Sequence, residues 1–131
     1  MKDPEQRLDD QPPEPESIRI LIVDDEPAIR ELLDSILIRR GYLCDAAASA
    51  EEALKIMDDR EYQVILTDIV MPGMSGVDLL HRIKERSPRT AVIMISALSS
   101  LDVTIRSLKL GAYDYITKPL QLEEVLARVA T

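Results

Sequence analysis

The sequence of 131 residues is poor in aromatic side chains and in cysteine. It contains no Trp, no Phe, four Tyr and a single cysteine, Cys44. A lone cysteine excludes an internal disulfide, and the shortage of aromatic rings argues against binding of single-stranded nucleic acid by base stacking. Because hydrophobic residues still make up 46% of the chain, aliphatic side chains must form the core.

Positive charge and long apolar runs are also scarce. The chain has 16 Lys and Arg against 24 Asp and Glu, which gives a formal net charge of −8. This excess of negative charge repels a phosphate backbone, so we expect no direct binding of nucleic acid by this chain. No apolar stretch reaches the length of a signal-peptide core or a membrane span, and we therefore expect a cytoplasmic protein with no membrane association.

Half of the net charge lies in the first 17 residues. This segment holds four prolines and six acids against two bases, and it shows no apolar periodicity. Such a segment cannot bury enough surface to offset the entropy of ordering it. We therefore predict a disordered tail over 1–17 and one folded domain over 18–131.

From residue 18 onward, short apolar runs alternate with segments of helical periodicity. The runs predict buried strands at 18–23, 42–46, 64–67, 91–95 and 113–116. Pro27, a capping box formed by Ser49 and Glu52, and glycines at helix ends predict a helix after each strand, with a loop over 69–76. Strands that are each followed by a helix form a parallel sheet covered on both faces, so we predict an open, doubly wound α/β fold.

Charged and hydroxyl side chains follow four of these strands. They are Asp24 and Asp25, Asp68, Ser96 and Lys118. The carboxyl ends of parallel strands share one edge of the sheet, so we expect these residues to lie close together. Three carboxylates would repel one another unless a hard cation such as Mg²⁺ neutralised them, and a lysine and a hydroxyl could hold phosphoryl oxygens. The pattern predicts phosphoryl chemistry with an aspartate as the acceptor.

Each of these residues also has an ordinary explanation when it is taken alone. Asp24 and Asp25 could cap the first helix, Ser96 could be a loop serine, and Lys118 could be a surface lysine. Their joint placement at strand ends favours a site. The only histidine, His81, lies within the predicted third helix and is interpreted as exposed. The cysteine and three methionines are interpreted as packing residues, the methionines being Met71, Met74 and Met94.

These motifs resemble the receiver domains of two-component response regulators, the CheY-like superfamily. The resemblance covers nearly all of residues 18–127 and rests on Asp24-Asp25, on DIVMPGMSG at 68–76, on Ser96-Ala97 and on GAYDYITKP at 111–119. It implies a flavodoxin-like (βα)5 domain whose five-stranded sheet has the order 2-1-3-4-5. It also implies that the chain is not an enzyme toward other substrates and catalyses only its own phosphorylation and dephosphorylation.

The resemblance implies Asp68 as the phosphoacceptor and Mg²⁺ as the cofactor. Asp68 would take a phosphoryl group from the phosphohistidine of a histidine kinase. Asp25, Asp68 and the backbone carbonyl of Val70 would bind Mg²⁺ directly, and Asp24 would act mainly through water.

A two-state switch is implied as well. Lys118 would pair with Asp68 and then with a phosphoryl oxygen, and the Lys118-Pro119 peptide bond would be cis. Ser96 would swing inward to the phosphoryl group, and Tyr115 would follow it to a buried rotamer. The added charge, roughly −1.5 to −2, would remodel the face made by the fourth helix, fifth strand and fifth helix, which could also form a homodimer.

Two apolar side chains, Val70 and Leu98, would flank the entry to the phosphoryl group. Neither can orient an attacking water by hydrogen bonding, so we predict a comparatively long-lived phosphoaspartate. Val70→Asn or Leu98→Glu should then speed autodephosphorylation, whereas an unchanged rate would mean that both residues simply pack.

Other functions share this architecture. A flavodoxin-type FMN binder, which flavin absorbance would identify, needs a hydroxyl- and glycine-rich phosphate loop where this chain has three acids. A phosphatase of the haloacid dehalogenase kind, which would turn over a phosphate ester, carries a second Asp where this chain has Glu26. An interaction-only pseudo-receiver is disfavoured by the complete set of site residues.

The effector of the switch is left open by the sequence. The chain ends thirteen residues after Lys118, and a complete fifth helix would run a turn or two further, so we expect an excised receiver without its effector. The run over 114–120 looks similar to regulators that drive enhancer-dependent transcription through an attached ATPase. The alternative is a standalone receiver that acts in a phosphorelay or controls a partner protein.

Overall fold

The computed structural model describes residues 18–97 and 101–130, in which strands and helices alternate. The strands are β1 (Arg19–Val23), β2 (Leu43–Ala47), β3 (Val64–Asp68), β4 (Ala91–Ser96) and β5 (Asp114–Thr117). The helices are α1 (Pro27–Arg39), α2 (Ala50–Asp59), α3 (Gly76–Arg86), α4 (Leu101–Lys109) and α5 (Leu122–Ala130). The tail predicted over 1–17 lies outside the described residues, and the continuation of α5 beyond this chain stays a prediction.

The five strands form one parallel sheet in the order β2-β1-β3-β4-β5. This confirms the doubly wound, flavodoxin-like fold. The chain moves from β1 outward to β2 and then returns to β3 on the other side, so the strand order reverses between β1 and β3. In open α/β sheets ligands bind beyond the carboxyl ends of the strands at such a reversal. The fold therefore places the residues after β1 and at the end of β3 in the position that favours a binding site.

Two apolar clusters fill the space on the two faces of the sheet. Successive residues of a strand point to opposite faces. Accordingly, Leu21 and Val23 pack in the cluster under α2 and α3, whereas Ile20 and Ile22 pack in the cluster under α1 and α5. The buried side chains are mostly aliphatic, as the composition predicts. Within 18–97 and 101–130, no helix has the length and apolarity needed to cross a bilayer.

Several predicted boundaries are wrong by one residue. β2 and β5 are each displaced by one residue toward the C-terminus, and β1 starts one residue later than predicted. β3 and β4 extend one residue further than the apolar runs, because Asp68 pairs with Ile95 and Ser96 pairs with Thr117 in the parallel ladder. Backbone pairing thus continues through polar residues that the apolar pattern excludes.

Helix caps explain the other differences. Ser75 caps α3 by accepting a hydrogen bond from the Asp78 N–H, so this helix begins at Gly76, which the sequence assigned to a loop. Ser49 caps α2, as predicted, by accepting from the Glu52 N–H. The cap position of α1 is occupied by Glu26, whose side chain makes no capping bond, and not by either aspartate before it.

Candidate functional site

Three carboxylates meet at the carboxyl ends of β1 and β3. Asp24 follows β1 and is fully buried, Asp68 ends β3 and is 6% exposed, and Asp25 is exposed. One carboxylate oxygen from each residue lies within 4.8 Å of the others. The structure therefore brings together the three acids that the sequence placed after separate strands.

Two hydrogen bonds fix the position of Asp24, but one of its carboxylate oxygens has no hydrogen-bond partner among the described residues. Its Oδ1 accepts from the Glu26 N–H at 2.9 Å, and its backbone carbonyl accepts from the Arg30 guanidinium at 2.7 Å. Its Oδ2 is buried without a hydrogen-bond partner among the described residues, and Lys118 Nζ lies 3.8 Å from it. Burial raises the pKa of Asp24, and the charge of Asp68 adds to this effect, although the Glu26 N–H opposes it.

The donor set fits a hard divalent cation. Mg²⁺ takes oxygen ligands and is commonly held by one or two carboxylates with several waters. A buried carboxylate oxygen without a partner, next to two further carboxylates, offers such ligands in a place where negative charge is in excess. Asp24, Asp25 and Asp68 are therefore the residues that could hold the ion.

Lys118 is the cation of the site. Its Nζ donates to Asp68 Oδ2 at 3.1 Å and lies 3.6 Å from Glu26 Oε1. Burial alone would lower the pKa of Lys118, but the hydrogen bond to Asp68 and the charges of Asp68, Asp24 and Glu26 raise it on balance. The Lys118-Pro119 peptide bond is cis, as the resemblance implied. Lys118 is thus a fixed ammonium group directed at the carboxylate of Asp68.

Ser96 ends β4, one residue beyond the β4 partner of Asp68, and is 2% exposed. Its Oγ donates to the Ala97 carbonyl at 2.9 Å and accepts from Thr104 Oγ1 of α4 at 2.6 Å. Tyr115 in β5 is partly buried and packs against the cluster under α2 and α3. The structure places Ser96 at the predicted sheet edge, with its hydroxyl bound to α4.

The start of α3 fixes the backbone of Asp68. A Cβ on Gly76 would lie 2.1 Å from the Asp68 carbonyl oxygen, so only glycine allows the helix to begin this close. Thr67 Oγ1 donates to the same carbonyl at 3.0 Å, and the Ile69 N–H donates to Ile95 at 3.1 Å. These contacts hold the end of β3 from both sides.

The loop between β3 and α3 is also attached to α2. Glu51 accepts from the Met74 N–H at 3.2 Å, and it lies beside Gly73, whose φ of +78° favours glycine. The Val70 side chain is 69% exposed in this loop. The roles of its carbonyl in binding a metal and of its side chain in hydrolysis stay predictions, and Leu98 lies outside the described residues.

The residues interpreted as lying outside the site do so. His81 is exposed on α3, where its Nε2 lies 3.8 Å from a carboxylate oxygen of Glu85. Cys44 is partly buried against the cluster under α1 and α5, and this burial raises the pKa of its thiol to about 12. Three of the methionines also pack in the core: Met71, Met74 and Met94.

Sequence reasoning missed three contacts made by helical residues. These residues are Arg30, Glu51 and Thr104, and their bonding partners lie 6, 23 and 8 positions away along the chain. None of these separations follows from a motif or from helical periodicity. Only the way the helices pack on the sheet brings these side chains to the site and its loop.

Comparison with known proteins gives a consistent family. A family model described as the response regulator receiver domain matches residues 20–130. The chain is 43% identical over 113 residues to the response regulator protein PilR of Pseudomonas aeruginosa, covering 86% of this chain and 25% of PilR. It is 39% identical over 110 residues to the DNA-binding transcriptional regulator NtrC of Proteus hauseri, covering 84% of this chain and 23% of NtrC.

A solved structure supports the same relationship. The receiver domain of NtrX from Brucella abortus matches with a TM-score of 0.82 and 34% identity, covering 85% of this chain and 94% of that chain. The chain spans about a quarter of the length of PilR and of NtrC. Since the family match runs through every strand-end residue of the site, from Asp24 to Lys118, the chain belongs to the family of response regulator receiver domains.

Proposed function

We propose that this chain is a phosphorylation-dependent switch of a two-component system in which Asp68 is the phosphoacceptor. The supporting observation is the position of Asp68. Its Oδ2 lies 3.1 Å from Lys118 Nζ, and it belongs to a group of three carboxylates in which the buried Oδ2 of Asp24 has no hydrogen-bond partner among the described residues. A carboxylate can act as a nucleophile toward phosphorus when nearby cations offset the charge that accumulates.

The phosphoryl donor is a phosphohistidine of a histidine kinase. An oxygen of Asp68 attacks phosphorus, a P–O bond forms, and the P–N bond to the imidazole of the kinase breaks. Lys118 can then pair with a phosphoryl oxygen from its position beside Asp68. Water later attacks the phosphorus and releases phosphate, which restores Asp68. The chain in this way catalyses only its own phosphorylation and dephosphorylation, and it is not an enzyme toward other substrates.

Asp24, Asp25, Asp68 and the carbonyl of Val70 would hold Mg²⁺. When bound, this ion supplies positive charge that offsets the carboxylates and the phosphoryl oxygens. The buried Oδ2 of Asp24 supports this assignment because it has no hydrogen-bond partner among the described residues. Burial also raises the pKa of Asp24, and a bound cation would favour its charged form.

The switch controls transcription through an effector outside this chain and acts in the cytoplasm. Support comes from the relatives, since NtrC is named as a DNA-binding transcriptional regulator and is about four times longer than the matched region. The responding surface is the face made by α4, β5 and α5. It carries large apolar side chains that are more than a third exposed: Ile105, Leu108, Leu110, Tyr113 and Leu122.

Labelling with a small phosphodonor tests the proposal. The protein is incubated with acetyl phosphate and Mg²⁺, and intact-protein mass spectrometry should detect one added phosphoryl group that hydroxylamine removes, as expected for an acyl phosphate. Asp68→Asn should abolish the added mass, whereas the exposed Asp78→Asn on α3 should label like the wild type. Equal labelling of Asp68→Asn and the wild type would contradict the assignment.

A further inference from the structure

We propose that Thr104 of α4 is a positioning residue for Ser96 and that it sets how readily the site accepts a phosphoryl group. This inference rests on the proposed functions of Asp68 and Ser96. Thr104 is 1% exposed, and it contacts a hydroxyl that the switch requires.

The bond joins two buried hydroxyl groups. Thr104 Oγ1 donates to Ser96 Oγ at 2.6 Å, and Ser96 Oγ donates its own proton to the Ala97 carbonyl at 2.9 Å. A serine hydroxyl has one proton to donate and two lone pairs. In this arrangement Ser96 already donates its only hydroxyl proton to the Ala97 carbonyl, and its oxygen accepts a hydrogen bond from α4.

Binding of a phosphoryl oxygen competes with this arrangement. Ser96 must redirect its single proton from Ala97 to the phosphoryl group, and the rotation of its side chain moves Oγ away from Thr104. The bond from Thr104 is therefore formed in one state of the switch and broken in the other. A ligand or a substitution shifts a two-state equilibrium only through such differences between the states. A buried neutral hydrogen bond of this kind should disfavour the phosphorylated state by about three- to tenfold.

The same bond connects Ser96 directly to α4. Val103, the neighbour of Thr104, packs against the cluster that also includes Tyr115. Release of Ser96 thus alters how α4 packs on β4, next to the cluster against which both Val103 and Tyr115 pack. Because coupling between sites is reciprocal, a partner that holds α4 against β4 should weaken the binding of the phosphoryl group.

Beryllofluoride binding in the presence of Mg²⁺ tests the inference on the whole chain. Thr104→Val keeps the volume and removes the hydroxyl, so it should bind beryllofluoride about three- to tenfold more tightly than the wild type. Thr104→Ser keeps the hydroxyl and should bind like the wild type. The affinity for Mg²⁺ alone should not change in either variant, because the carboxylates lie at β1 and β3.

Ser107→Ala is the matched control. Ser107 is buried on the same helix, and its hydroxyl donates to Val103 within α4, so this variant should stay within twofold of the wild type. If Thr104→Val does not fold, Thr104→Ala replaces it. This variant removes the same hydroxyl and should also bind beryllofluoride more tightly than the wild type.

A double-mutant comparison with Ser96→Ala separates the hydrogen bond from packing. Thr104→Val should have no effect in the Ser96→Ala background. The inference is overturned if the valine and alanine variants bind beryllofluoride like the wild type, or if their effect persists without the Ser96 hydroxyl. If Asp68→Asn binds beryllofluoride as well as the wild type does, the proposed function itself has failed. Binding that depends on Asp68 and not on Thr104 overturns only the inference.

Discussion

At Asp24, the burial of a negative charge reduces the stability of the folded protein. The carboxylate is fully buried, Oδ2 has no hydrogen-bond partner among the described residues, and burial raises the pKa. A raised pKa means that the folded protein favours the protonated form. The resulting stabilisation is complete below the unfolded-state pKa and is lost as the pH rises through the folded-state pKa. At neutral pH the burial of this carboxyl group therefore lowers the free energy of unfolding of the metal-free protein.

We predict that Asp24→Asn stabilises the metal-free protein at neutral pH. An amide at this position keeps the acceptor for the Glu26 N–H and can donate to the neighbouring carboxylates. The free energy of unfolding in EDTA should rise by about 1 kcal/mol, the lower end of the cost of an unsatisfied buried polar group. Urea unfolding at pH 7 measures this change, and the gain should diminish at acid pH, where Asp24 itself becomes protonated.

In the presence of Mg²⁺ the wild type should have a higher free energy of unfolding than Asp24→Asn. A saturating concentration of about 100 times Kd stabilises a binding protein by roughly 2.7 kcal/mol, and Asp24→Asn should lose most of this gain. Asp78→Asn on the exposed side of α3 serves as the control and should respond to Mg²⁺ like the wild type. A decrease in the stability of Asp24→Asn in EDTA would show that the lost contact with Lys118 outweighs the removal of buried charge.

The start of α3 lies against the backbone of Asp68, the proposed phosphoacceptor. Its first residue, Gly76, lies directly against the Asp68 carbonyl, and its N–H donates to Ile69 at 2.8 Å. The cost of a larger residue here is steric, because the obstructing atoms belong to the backbone and cannot rotate away.

Gly76→Ala should therefore destabilise the protein and displace Asp68. Its Cβ would meet the Asp68 carbonyl oxygen at 2.1 Å and the Ile69 Cα at 2.9 Å, so α3 must shift. We expect a loss of about 2–3 kcal/mol in urea unfolding, at the upper end of the cost of overpacking, together with slower labelling by acetyl phosphate.

Gly73→Ala provides the comparison for this prediction. Gly73 has a positive φ, but its nearest contact is the flexible end of Glu51, so alanine should cost only about 1–2 kcal/mol and should spare Asp68. If Gly76→Ala labels as fast as Gly73→Ala, the contact of α3 does not position the phosphoacceptor.

The five strands and five helices could be predicted from the sequence because apolar spacing reports which faces are buried. The meeting of Asp24, Asp68 and Lys118 could also be predicted, since parallel strands bring their carboxyl ends to one edge. The ends of the strands could not be predicted, because β3 and β4 continue through polar residues. The hydrogen bond from Thr104 to Ser96 could not be predicted either, since it depends on how α4 packs against β4.

At the scale of the whole molecule, one group of exposed apolar side chains among the described residues lies on α4 and in the segments between α4 and the start of α5. Ile105 is 45% exposed on α4, Tyr113 is 49% exposed just before β5, and Leu122 is 45% exposed at the start of α5. Apolar surface grouped in this way is typical of an interaction site. Activation could therefore bring together two copies of the chain through this face.

We predict that beryllofluoride and Mg²⁺ promote a homodimer through the α4, β5 and α5 face. Sedimentation velocity should show a shift from monomer to dimer that Ile105→Lys abolishes, because an exposed apolar contact is replaced by a charge without disturbing the core. Ile38→Lys, at a residue that is 51% exposed on α1, should dimerise like the wild type. A dimer that survives Ile105→Lys, or that Ile38→Lys alone disrupts, would place the interface elsewhere.

The position of β5 at one edge of the sheet has a consequence for how partners can distinguish the two states. The acidic cluster follows the inner strands β1 and β3, whereas β5 is the last strand of the described sheet and pairs with β4. A rearrangement of Ser96, α4 and β5 can therefore remain on one side of the molecule and leave the pairing of β1 with β2 intact. One partner could then dock at the β2 side whether or not Asp68 carries a phosphoryl group, while a second partner at the β5 side binds only one of the two states.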